Sequence, residues 1–189
     1  MLPKAVARRP VHQRNIICQG YLRDDGLWDI EGQLCDTKSY SFRNHDRGLI
    51  AAGEPLHNMT VRLTLDDHYT IIAAIAHTSH APYRLCPAIS DAYQALVGLK
   101  IAAGFSRALR QRLGGIQGCT HLSEIVRILA TVAFQTIRTD SKDFLHQATA
   151  EDIAPSNNSA LPKGLQGTCH AFAPNTEVSK RVFDDTPPA

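Results

Sequence analysis

Residues 59–66 give the clearest pattern in the chain. Met59, Val61, Leu63 and Leu65 alternate with Thr60, Arg62, Thr64 and Asp66. A period of two with one apolar face predicts a half-buried strand. Asp66-Asp67-His68 reads as a turn, and Tyr69 to Ala76 as the returning strand. An earlier hairpin is expected over 14–37. Ile16, Ile17, Cys18 and Tyr21 lead into Asp24-Asp25-Gly26, and Trp28, Ile30 and Leu34 recur beyond it. Asp-Gly suits the positive-φ positions of a tight turn. The polar stretch from Thr37 to Gly53 reads as a loop.

The period changes after Ser90-Asp91, a helix start. Tyr93, Leu96, Val97, Lys100, Ile101 and Gly104 fall on one stripe, and Phe105, Leu109 and Leu113 continue it. This predicts a helix over 91–113, with Gly104 as a break and Gly114-Gly115 as its end. Leu122, Ile125, Val126, Leu129, Val132, Ala133 and Ile137 predict a second helix over 120–138, with Thr120 as its N-cap. Strands first and helices after give an α+β fold: an antiparallel sheet of about four strands, in two hairpins, packed by two or three C-terminal helices. The expected organisation is a flexible arm over 1–13, one domain over 14–140, and a polar connector and tail over 141–189. A short strand is expected near 167–173, and a disordered end from Asp184.

Composition narrows the function classes. Of 189 residues, 43% are hydrophobic and 20% charged, with a formal net charge of +2. That charge is too small to imply a nucleic-acid or membrane surface. No apolar run resembles a signal peptide or a membrane span, so the expected compartment is the cytoplasm. No Walker A or GxGxxG pattern occurs, so no nucleotide cofactor is expected, and Gly-x-Ser-x-Gly is absent. The expected partner is a small-molecule substrate, and a second copy of the chain is compatible with the sequence.

Chemistry concentrates on cysteine and histidine. The five cysteines are Cys18, Cys35, Cys86, Cys119 and Cys169. An odd number, wide spacing and no CxxC pair favour free thiols or metal ligands over disulfides. Gly118-Cys119-Thr120-His121 carries the sharpest signal. A cysteine just before a helix start meets unpaired N–H groups and the positive end of the helix dipole, which favour a thiolate. His121 falls in the first turn, within reach. His57, in Gly53-Glu54-Pro55-Leu56-His57, and Cys86, between the last strand and the first helix, are further candidates. Cys169-His170 has a weaker case. Cys18 and Cys35 read as sheet residues and Trp28 as core. His45, His68, His77, His80 and His146 read as solvated.

Several segments together resemble a bacterial family catalogued as domain of unknown function 2889. They are Arg23-Asp24-Asp25-Gly26-Leu27-Trp28-Asp29, Pro55-Leu56-His57-Asn58-Met59, Pro82-Tyr83-x-x-Cys86, Leu96-Val97-Gly98, Gly118-Cys119-Thr120-His121-Leu122 and Thr168-Cys169-His170. That resemblance implies an association with the breakdown of aromatic and other organic acids. The order of elements over 53–137 is also similar to the NifU/IscU iron–sulfur scaffolds and the SufE sulfur acceptors. Gly53-x-Pro55-x-His57 looks like their Gly-x-Pro-x-Cys turn. His57 in place of that cysteine points toward a mixed His/Cys metal site rather than cluster assembly.

Two readings follow. In the first, the chain is a small metal- or thiolate-dependent enzyme, a hydrolase or lyase acting on a small organic, aromatic or otherwise, acid. His57, Cys86, Cys119 and His121 would hold zinc or iron. Without metal, Cys119 would be the nucleophile, with His57 or His121 as base. Arg23 and Asp24 are the candidate substrate contacts. In the second, the chain is a sulfur or metal carrier related to iron–sulfur assembly. A pocket reaching the cysteines favours the enzyme, and a cysteine exposed on a loop tip favours the carrier.

Overall fold

The structure is a computed structural model that describes residues 1–137 and 165–183. Six strands run in chain order: β1 His12–Leu22, β2 Trp28–Lys38, β3 Phe42–Asn44, β4 Gly48–Ile50, β5 Pro55–Leu65 and β6 Ile71–His80. A 3-10 segment follows over Cys86–Leu96, then helices α1 Phe105–Leu113, α2 Thr120–Thr136 and α3 Glu177–Phe183. The main sheet is antiparallel with order β1-β2-β5-β6, and β3-β4 form a small separate hairpin. The fold is α+β, as the switch of period implies.

One face of the sheet is buried. Trp28, Ile30 and Leu34 on β2 and Met59, Val61, Leu63 and Leu65 on β5 point into the core. Helix α2 supplies the other half, through Leu122, Ile125, Val126, Leu129 and Ala133. Side chains of this size each contribute roughly 1.5–3 kcal/mol when fully buried. Gly32 lies close beneath the helix. A Cβ there would lie 2.7 Å from Ile125 Cγ2 and 2.9 Å from Leu129 Cδ2. Any larger residue would force Ile125 and Leu129 to shift.

Several expectations need correction. The first strand begins at His12, two residues into the expected arm. The polar stretch 37–53 is not wholly a loop, because it folds into β3 and β4. No continuous helix spans 91–113. Gly98 and Gly104 take left-handed backbone, with φ of 82° and 89°, a conformation that suits glycine. Between them the chain pairs with the start of β6: Ile71 N–H donates to the Leu99 carbonyl at 2.9 Å, and Gly98 N–H to the Ile71 carbonyl at 2.8 Å. Ile101 is thus buried beside the sheet while Val97 and Lys100 stay exposed. Turns, not a strand, occupy 167–173. The expected connector over 141–164 and the end from Asp184 lie outside the described residues. Among the described residues no helix is long and apolar enough to cross a membrane.

Candidate functional site

The inward faces of β1, β2 and β5 continue past the apolar core to one end of the sheet, and there the residues change character. Arg14 pairs with Asp36, and Asp36 with His57, as cross-strand neighbours. By alternation, Asp36 follows Leu34 on the buried face and His57 precedes Met59. The Asp36 side chain is 2% exposed, so it must be compensated. Arg14 grips it with two bonds, Nε to Oδ1 and a terminal nitrogen to Oδ2, both 2.8 Å. His57 Nδ1 lies 2.9 Å from Oδ2, and His12 Nε2 lies 3.2 Å from Oδ1. Burial works against the Asp36 charge, but the Arg14 guanidinium and His57 outweigh it and hold the carboxyl at about 2. Asp36 is therefore ionised across the physiological range.

Helix α2 brings the second half of the site. Its N-cap is Cys119, in extended backbone, and not Thr120. Gly118 must precede it, because a Cβ there would strike the Leu113 carbonyl. Buried Tyr93, from the 3-10 segment, pins the cap. Its hydroxyl donates to the Cys119 carbonyl at 2.8 Å and accepts from the Cys119 N–H at 3.1 Å, with Ser123 Oγ at 2.8 Å. Arg14 also ties the helix to the sheet, reaching Glu124 Oε2 at 2.6 Å.

This docking sets His121 over His57, with ring centroids 3.9 Å apart and planes inclined at 32°. His121 Nδ1 is also 4.0 Å from Cys119 Sγ. The result is a file of groups: Arg14, Asp36, His57, His121, Cys119. Desolvation and the neighbouring His121 keep His57 below its ordinary pKa, against the pull of Asp36. Its Nδ1 is turned to the carboxylate, which leaves Nε2 with a lone pair. Burial pushes the Cys119 thiol up, but the His121 ring and the N–H groups of Leu122 and His121 outweigh it and lower the thiol below its ordinary value.

Beyond Cys119 the surface opens into a groove of about 570 Å³, lined by Cys86, Cys119 and His121 among mostly apolar side chains. Both cysteines are half-buried. The structure therefore gathers Cys86, Cys119 and His121 at one groove and stacks His57 behind His121. Among the described residues, the group of three candidate ligands whose atoms all lie within 4.8 Å of one another is Asp36, His57 and His121. Neither cysteine belongs to it. The four contacts on the Asp36 oxygens leave them filled, so Asp36 orients His57 more readily than it would ligate an ion.

Arg23 and Asp24 are not brought to this site. They lie in the β1–β2 turn at the opposite end of the sheet, where Arg23 pairs with Asp25 at 2.7 Å and with Asp29 at 3.5 Å. Cys169 is exposed. Cys18 and Cys35 are sheet residues and Trp28 is core, as expected. His45, His68 and His77 are exposed, His146 lies outside the described residues, and His80 departs from expectation. It is half-buried at the end of β6, and its Nδ1 has no hydrogen-bond partner among the described residues. Asp36 and Arg14 were missed altogether. The signal was available: extending the inward parity of each strand by one step places a charged or titratable residue on the buried face of all three.

No curated protein and no solved structure matches the chain, so the likeness to NifU/IscU and SufE rests on the sequence motifs alone. A family model described as "Protein of unknown function (DUF2889)" matches residues 12–135. The match runs from the first residue of β1 into the last turn of α2, and so takes in every residue of the Arg14–Cys119 file. The chain belongs to the DUF2889 family.

Proposed function

We propose that the chain is a cysteine-dependent hydrolase acting on an activated derivative of a small organic acid. The reading rests on the contact between Cys119 Sγ and His121 Nδ1 at a groove wall. A nucleophile beside a base, with the base supported in turn, is the working arrangement of covalent catalysis. His121 is the base, and the ionised Asp36 fixes the His57 ring on which it stacks. At 4.0 Å the thiol–imidazole contact is long, which is common before substrate draws such groups together. Half-burial of both cysteines beside a groove supports an enzyme over a carrier that displays its cysteine on a loop tip.

The test is Cys119→Ser. Serine is a weak nucleophile beside an imidazole arranged for a thiol, so turnover of ester and thioester substrates should fall by about 10³-fold or more. Serine is close in volume, so the melting temperature should change little. Wild-type protein should also give an acyl adduct on Cys119 by mass spectrometry. Unchanged turnover in the variant would sink the assignment.

A second reading has its own observation in its favour. His57 Nε2 carries a free lone pair, and the ligand atoms of His57 and His121 are close. With the Cys119 thiolate they would make a His/His/Cys set for zinc or iron, His57 being oriented by Asp36 in the manner common to metal-bound histidines. Elemental analysis of untagged protein decides. About one zinc or iron per chain, lost in His57→Ala and His121→Ala, would favour the metal reading.

A further inference from the structure

The groove has the volume of a small-molecule site. Tyr83, Leu85 and Ile89 wall it on the side of the 3-10 segment, and Ile116 faces them from the turn before α2. Leu85 is 80% exposed and Ile116 93% exposed. Apolar side chains of that size, left open in the groove that holds the thiol, are available to cover something apolar. Among the described residues no lysine, arginine, aspartate or glutamate lines the groove. Arg14, Asp36 and Glu124, at this end of the sheet, are paired with one another. A free carboxylate laid against these apolar side chains would lose part of its water and meet neither a lysine nor an arginine among the described residues that line the groove, an unfavourable exchange.

We propose that the group seated against Leu85, Ile89 and Ile116 is a neutral, apolar acyl chain or ring whose carboxyl is masked as an ester or thioester. The proposal rests on the cysteine-hydrolase reading and names its substrate class. The step balances within the site. His121 takes the Cys119 proton, and the sulfur forms a bond to the acyl carbon. The bond from that carbon to the alcohol or thiol breaks, and the leaving group takes the proton from His121. Water then attacks the thioester carbon, giving its proton to His121. The C–S bond breaks, the Cys119 sulfur takes that proton back from His121, and the organic acid departs.

The test uses p-nitrophenyl esters of acetate, butyrate and hexanoate, with the monosuccinate ester as an anionic counterpart of the butyrate. A fully buried methylene is worth about fourfold in kcat/KM, and an open groove gives less. Hexanoate should therefore exceed acetate by roughly tenfold, and butyrate should exceed monosuccinate by roughly tenfold or more. Ile116→Asp and Leu85→Ser should flatten the chain-length preference without lowering the melting temperature, since both side chains are exposed. A flat or reversed order among esters that are cleaved, or an order untouched by both variants, would overturn the acyl assignment and leave the hydrolase reading standing. If no ester is cleaved above the Cys119→Ser background and no adduct forms on Cys119, both fall together.

Discussion

The two ends of the main sheet carry the same kinds of residue to different effect. At the β1–β2 turn, Arg23 pairs with Asp25 and Asp29, and nearby in the sheet Arg62 of β5 pairs with Glu31 of β2 at 2.5 Å. Each of these pairs has at least one side chain that is 39–49% exposed, and ion pairs so open to water contribute little. At the other end Asp36 is sealed among Arg14, His12 and His57, and the apolar core begins two residues away. The chemistry differs because the solvent differs. Desolvation makes each missing partner expensive there, and it allows small changes in charge to move a neighbour's proton.

Removing the carboxylates is the strongest way to break the comparison. Asp36→Ala leaves Arg14 without its main partner and His57 without its anchor. It should cost about 3 kcal/mol or more in stability by denaturant unfolding. It should also lower turnover in the protein that remains folded, because His57 is no longer fixed beneath His121. A loss no greater than that of a surface substitution would mean that water reaches Asp36 freely.

Acid should sharpen the contrast next. An unfolded His57 takes up a proton below about 6.5, and the folded site resists it. Stability should therefore fall as the pH drops through that value. Asp36 adds a second loss. Its carboxyl titrates near 3.8 when unfolded and about 2 when folded, so its contribution is whole above about pH 5 and is lost progressively toward pH 2. Melting curves from pH 7 to pH 3 should show both declines, and His57→Gln should remove the upper one. Arg23→Ala, the smallest effect expected, should leave melting temperature and turnover unchanged within error. A clear loss of turnover would restore Arg23 as a substrate contact.

Much of this was legible in the sequence because burial writes itself into periodicity. The alternation at Met59–Leu65 marked a strand that exists, and the apolar steps from Leu122 to Ala133 marked α2. Cys119 and His121 could be paired because they share one helix start. The row across the strands could not be paired in that way. Arg14, Asp36 and His57 are far apart in sequence and meet only through strand register, which no local pattern encodes. The failure over 91–113 has a different cause. Tyr93, Leu96 and Ile101 keep a helical spacing, yet Gly98 turns the chain and backbone pairing places Ile101, whose N–H donates to the Tyr69 carbonyl at 2.9 Å.

Tyr69 holds the far end of α2. It takes a φ of 65°, unusual for a bulky residue, yet its hydroxyl donates to the Ile137 carbonyl at 2.6 Å and its ring lies 4.9 Å from Phe134. With Tyr93 at the front and Gly32 beneath the middle, the helix is fastened at three points along its length. Amides along α2 should then exchange with solvent only when the whole domain opens, as one cooperative unit. A site hung on such a helix has no private way to loosen. Heat or denaturant should extinguish Cys119 reactivity and unfold the protein at the same midpoint.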